Sequence, residues 1–113
     1  MKYFIVEGTI NDAAGMNDEV MKEHMAYTQK AMDAGMILMS ALKEDMSGGI
    51  FIIRAESVDE VERYLADEPM GRYGIQRYRI IGFMPPYVQS SPGGWFDEPG
   101  SDCRNQPANA DKI

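Results

Sequence analysis

Residues 36–55 read MILMSALKEDMSGGIFIIRA, two apolar runs joined by a polar hinge that ends in two glycines. Met36 to Leu42 and Ile50 to Ala55 have strand composition, and Gly48-Gly49 at the head of the second run punctuates a turn. The stretch predicts a β-hairpin across Lys43–Ser47. Upstream, Asn17 offers an N-cap, Asp18 and Glu19 suit the first turn of a helix, and Gly35 suits its end. A helix to about Ala34 follows, with Val20, Tyr27, Ala31 and Ala34 on its apolar stripe and Met21, Met25 and Met32 alongside. Before it, Lys2 to Ile10 reads as a strand. Downstream, Ser57-Val58-Asp59-Glu60 forms a capping box that opens a second helix, with Val58, Val61 and Leu65 inward and Pro69 as the stop. A turn through Gly71 and Gly74 leads to a last strand, Ile75 to Met84. The order βαββαβ predicts a ferredoxin-like α+β fold: a four-stranded antiparallel sheet with two helices on one face.

Side chains alternate between the faces of a strand, which makes each strand a statement about two environments. Phe4, Val6 and Ile10 oppose Tyr3 and Ile5; Met36 and Leu38 oppose Ile37 and Met39. Ile50 and Ile52 oppose Phe51 and Ile53, while Tyr78, Ile80 and Met84 oppose Ile81 and Phe83. Both faces are apolar, and two helices cover only one. A second copy of the chain over the other face predicts a homodimer, with a barrel formed by the two sheets. Such an interface typically buries roughly 800 Å² per partner.

Composition narrows the remaining choices. The chain has 113 residues, with 18 acids, 11 bases and a net charge of −7, which argues against nucleic acid as a partner. No apolar run has the length of a membrane span, and the opening residues lack the h-region of a signal peptide, so a cytoplasmic setting is expected. Cys103 is the only cysteine, which excludes an intrachain disulfide and a multi-thiolate metal site. Five of the six prolines lie from Pro85 to Pro107. The expected division is therefore a folded domain at 1–84 and a Pro/Gly-rich arm at 85–113. Tyr87, Val88, Trp95, Phe96 and Ile113 give that arm apolar groups with which to dock. It is expected to wrap over the barrel, onto the partner subunit, with Trp95 or Phe96 as anchor.

The single histidine, His24, lies on the stripe of the first helix, where Val20, His24, Tyr27 and Ala31 follow one another at spacings of four, three and four. An inward histidine is either a core imidazole tied to a carbonyl or tyrosine, or a general acid/base. Asp67 and Glu68 close the second helix ahead of Pro69, although the helix dipole does not favour acids there. In a split βαββαβ unit both helices pack on the same sheet face, so a carboxylate at that end can approach His24. It would fix the tautomer of the imidazole and strengthen it as a base. The ten methionines read as adaptable core filling. No metal or redox cofactor is implied.

Several segments together resemble the YCII-related (YciI-like) family of dimeric α+β barrels, over about residues 1–84. They are Tyr3-Phe4-Ile5-Val6, Glu23-His24-Met25-Ala26-Tyr27, Asp33-Ala34-Gly35-Met36-Ile37-Leu38, Ala55-Glu56-Ser57-Val58-Asp59-Glu60-Val61 and Glu68-Pro69-Met70. The resemblance implies a ferredoxin-like dimer whose active site is built on a histidine and an acid. His24 matches the first and Glu68 the second, with Asp67 as a neighbour able to substitute. It also implies small-molecule chemistry: one relative eliminates chloride from a chlorinated hydroquinone, and the superfamily includes isomerases and monooxygenases acting on small aromatics. Three departures stand out. An arginine frequent before the histidine is missing although Lys22 is near, Ser40-Ala41 replaces a Gly-Pro, and Met70 replaces an aromatic. The expected function is a lyase or isomerase with a His–carboxylate pair. The alternative is a non-catalytic module that binds a small metabolite in the same pocket.

Overall fold

The computed structural model describes residues 1–90 and 92–96. Its elements are β1 (Lys2–Ile10), a 3₁₀ turn at Ala13–Gly15, α1 (Asp18–Asp33), β2 (Ile37–Leu42) and β3 (Gly49–Ala55). They continue with α2 (Val58–Asp67), a one-turn α3 (Pro69–Arg72), β4 (Gln76–Phe83) and a short α4 (Pro92–Trp95). One antiparallel sheet of order β2-β3-β1-β4 holds all four strands. Among the described residues no helix is long and apolar enough to cross a membrane.

The punctuation explains the boundaries. Asn17 caps α1 by accepting from the Val20 amide at 2.9 Å, and Gly35 ends it at φ +77°, a conformation that favours glycine. Arg54 Nε then donates to the Gly35 carbonyl at 2.7 Å, a cation at the negative end of the helix. Half of the capping box forms: Ser57 Oγ accepts from the Glu60 amide. The Glu60 carboxylate instead reaches the Glu56 amide at 3.4 Å. Val58 is exposed, because at the first helical position it lies outside the stripe that Val61 and Leu65 bury. The turn expected through Gly71 contains α3, since a proline that ends one helix is equally suited to start the next at N1.

The core lies between the helices and one sheet face. Phe4 and Val6 of β1 and Phe51, Ile53 and Ala55 of β3 pack against Ala31, Val61 and Leu65. Tyr27 and Tyr64 stack at 4.7 Å and join α1 to α2, the Tyr27 hydroxyl donating to the Tyr64 carbonyl at 2.8 Å. Thr28 is buried where Tyr27 was expected, and Ala34 is exposed at the cap.

The opposite face differs from the alternation in two ways. A bulge shifts the β2–β3 register between Ile37 and Met39, so Ile37 pairs with Ile53 and Met39 with Ile52. Leu38 is the extra residue and is exposed, and Met39 leaves the face of Ile37. The register then places Met39, Ile52, Ile5 and Ile81 in one cross-strand row, flanked by Tyr3 and Phe83. The other half of that face is polar, with Glu7 opposite Arg79 and Thr9 opposite Arg77. Met84 lies past the end of β4 and is exposed. Ile81 and Tyr3 on that face are exposed, and Ile5, Met39 and Ile52 are half-buried.

The arm does not dock on its own chain through the expected anchors. Trp95 and Phe96 are both exposed and pack edge to face on each other at 5.2 Å, and Tyr87 is almost fully exposed. Ile113 lies outside the described residues.

Candidate active site

The site begins with Pro69. A proline disfavours helical backbone in the residue before it, and Glu68 accordingly turns out of α2 at φ −66°, ψ 128°. That rotation carries its side chain inward, to complete burial. Glu68 thereby closes α2 and caps α3: its Oε2 accepts from the amides of Met70 at 3.0 Å and Gly71 at 3.3 Å. An acid that looks misplaced at a helix C-terminus sits at the favourable start of the next one.

His24, 3% exposed, meets Glu68 through Nδ1 and Oε1. The structure brings Glu68 to the imidazole and leaves Asp67 out. Asp67, the last residue of α2, is exposed, because it keeps helical geometry and its side chain leaves the helix in another direction. Tyr78 completes the cluster, its hydroxyl donating to Glu68 Oε2 while it accepts from Gln76 Nε2 at 3.1 Å. Burial first, then the Glu68 charge, push the Tyr78 phenol far above its ordinary value, so it stays a donor at neutral pH. Burial does the same for Tyr64, with Tyr27 and Glu68 adding to it, and more mildly for Tyr27, next to Asp67 and Glu68.

Two spaces adjoin the cluster. An enclosed one of about 30 Å³ is lined by His24 with Met16, Ser40, Phe51, Met70 and Gln76. A shallower one of about 290 Å³ lies along Leu65, Ala66, Gly71, Gln76, Tyr78 and Ile80. The first is the space next to the imidazole, although it holds little more than a water. Among the described residues no group of three His, Cys, Asp or Glu side chains is placed to hold a metal ion.

Tyr78 and Gln76 are the parts the sequence did not announce. The available signal was a glutamine at an inward β4 position two residues before an inward tyrosine, where apolar side chains are the rule.

The sheet order and the paired helices define a ferredoxin-like α+β protein, with a buried His–carboxylate pair under its helices. The YCII-related domain matches residues 1–84, and the chain belongs to that family. Among solved structures, 5-chloro-2-hydroxyhydroquinone dehydrochlorinase from Burkholderia phenoliruptrix, in complex with 2,5-dihydroxybenzoquinone, shares the fold. The TM-score is 0.62 at 18% identity, and the alignment covers 73% of this chain and 93% of that one. A search of curated proteins finds no significant match.

Proposed function

We propose that this YCII-related protein is a small-molecule enzyme of the lyase or isomerase type, in which His24 moves a proton and Glu68 orients it. One observation carries the reading: the only imidazole of the chain is buried with Nδ1 on a carboxylate that is itself wholly buried. With Nδ1–H donating to Glu68, Nε2 keeps its lone pair, and among the described residues it has no hydrogen-bond partner. In a lyase step Nε2 takes a proton from the substrate as the leaving group departs with its bonding electrons. In an isomerase step the same proton returns to a different atom. In both, the imidazolium formed faces a carboxylate that compensates its charge. A ring-sized substrate reaches His24 as Met16 and Met70, flexible side chains that line the enclosed space, move aside. The hydroxylated quinoid bound by the similarly folded dehydrochlorinase motivates small hydroxylated aromatics as the substrate class.

The same reading makes the unit a homodimer. The row of Met39, Ile52, Ile5 and Ile81 is self-complementary under a two-fold axis, and its polar half supplies a rim of Glu7, Arg79 and Lys43.

The test offers 2,5-dihydroxybenzoquinone and 5-chloro-2-hydroxyhydroquinone to the full chain and follows ring-proton exchange into D₂O and chloride release. Turnover lost in His24→Gln supports the enzyme. Turnover that survives the substitution overturns it. Ligand binding without turnover in the unsubstituted protein, unchanged in His24→Gln, assigns the pocket to a metabolite-binding module.

A further inference from the structure

We propose that Tyr78, backed by Gln76, is a positioning residue that dictates which nitrogen of His24 carries the proton. The inference rests on His24 and Glu68 being the working pair. Glu68 Oε2 receives the Met70 amide, the Gly71 amide and the Tyr78 hydroxyl. Backbone amides only donate, and so does the Gln76 NH₂ that meets the Tyr78 oxygen. The single phenolic proton of Tyr78 therefore points at Oε2. With three donors converging on it, Oε2 has no room for a proton of its own. Any proton shared between Glu68 and His24 is confined to the line from Oε1 to Nδ1. With Glu68 as a carboxylate, Oε1 can only accept, so that proton sits on Nδ1: the neutral ring is the Nδ1–H tautomer, and Nε2 is the nitrogen left bare for chemistry.

The backbone around the network is shaped for it. A Cβ on Gly71 would lie 2.9 Å from the Tyr78 ring and 2.8 Å from the Leu65 carbonyl oxygen. A Cβ on Gly8 would lie 2.6 Å from Cδ of Gln76. Bare positions in α3 and β1 thus make space for the two side chains, and Gln76 is 7% exposed. Without the hydroxyl of Tyr78, Oε2 would keep only the two α3 amides, both from one side, and the carboxylate would be free to turn. Loss of that constraint releases His24 from a single tautomer.

A single histidine makes the test direct, because ¹⁵N-labelled full-length protein shows one imidazole. Long-range ¹H–¹⁵N spectra at the alkaline end of its titration read the two tautomers. The unsubstituted protein is expected to be Nδ1–H. Tyr78→Phe should lower the ratio of Nδ1–H to Nε2–H by about tenfold, the worth of one hydrogen bond to a charged group. Gln76→Met should move it the same way by less, and decides the matter if Tyr78→Phe does not fold. An Nε2–H ring in the unsubstituted protein overturns the proposal. So does an unchanged ratio in the folded variant, even with a lowered melting temperature, which is what mere packing would give. Turnover that survives His24→Gln while the ratio still shifts would remove the enzyme reading and leave the positioning role in place.

Discussion

Glu68→Ala is the substitution whose cost follows most directly from the structure. The side chain is fully buried and accepts from two backbone amides and a phenol, with the imidazole on its other oxygen. Truncation strands four donors. Each unsatisfied buried group costs about 1–3 kcal/mol, and partial relief by water entering the vacated space brings the sum to about 3–6 kcal/mol. Domains of this size have about 5–15 kcal/mol in all, so the variant should unfold far more easily or fail to accumulate. Glu68→Gln keeps an acceptor for the three donors on Oε2 but sets an NH₂ against His24 Nδ1, so the ring must change to its Nε2–H tautomer; with the charge-assisted part also lost, the cost is about 1–2 kcal/mol. Urea unfolding at one fixed protein concentration measures both, because an associating chain gains stability with concentration. A loss below about 1 kcal/mol for Glu68→Ala would show that these donors have other partners, and the account of the site would be wrong.

Three further outcomes follow from other parts of the molecule. Ile52→Lys puts a charge in the middle of the apolar row, and sedimentation should then give the 12.7 kDa monomer instead of twice that mass; an unaltered dimer would place the interface elsewhere. Gly48→Ala should cost about 3 kcal/mol or more, because the new Cβ would lie 1.9 Å from the Gly8 carbonyl oxygen; a neutral change would mean the β2–β3 loop does not sit against β1. Alkaline stability has a definite sign. The phenols of Tyr27, Tyr64 and Tyr78 are raised above 10.0, so the folded protein keeps protons that the unfolded chain releases. Stability should hold below pH 10 and fall as the pH rises past it, less steeply in Tyr78→Phe, and urea midpoints that stay flat to about pH 11 would contradict the burial of these rings.

Most of the fold was legible because its boundaries are local chemistry. Asn17, Gly35, Ser57 and Pro69 each act within a turn of their own position, and β1 and α1 fall where such signals put them. The misreadings came from non-local geometry. The bulge at Leu38 depends on how β2 meets β3, and alternation within β2 alone carries no trace of it. The arm's composition names Trp95 and Phe96 as its apolar groups; both are exposed on their own chain, so the docking expected of them concerns a second subunit. Within the site, His24 showed itself by its place on the α1 stripe and Glu68 by its proline. The choice of Glu68 over Asp67 needed the backbone turn at ψ 128°. Tyr78 and Gln76 belong to the network through contacts across the fold; the inward glutamine two residues before an inward tyrosine in β4 hints at a polar cluster but does not name Glu68 as its partner.

In the proposed reaction His24 transfers a proton with Glu68 behind it. The most direct measurement is the rate of catalysed proton exchange at the ring carbons of bound 2,5-dihydroxybenzoquinone in D₂O, for the unsubstituted protein and His24→Gln, each saturated with ligand. The exchange rate should fall about 10²–10⁴-fold, the usual contribution of a general acid/base, with ligand affinity little changed. A His24→Gln rate within about threefold of the unsubstituted protein would contradict it, since no general acid/base of that strength would have been removed.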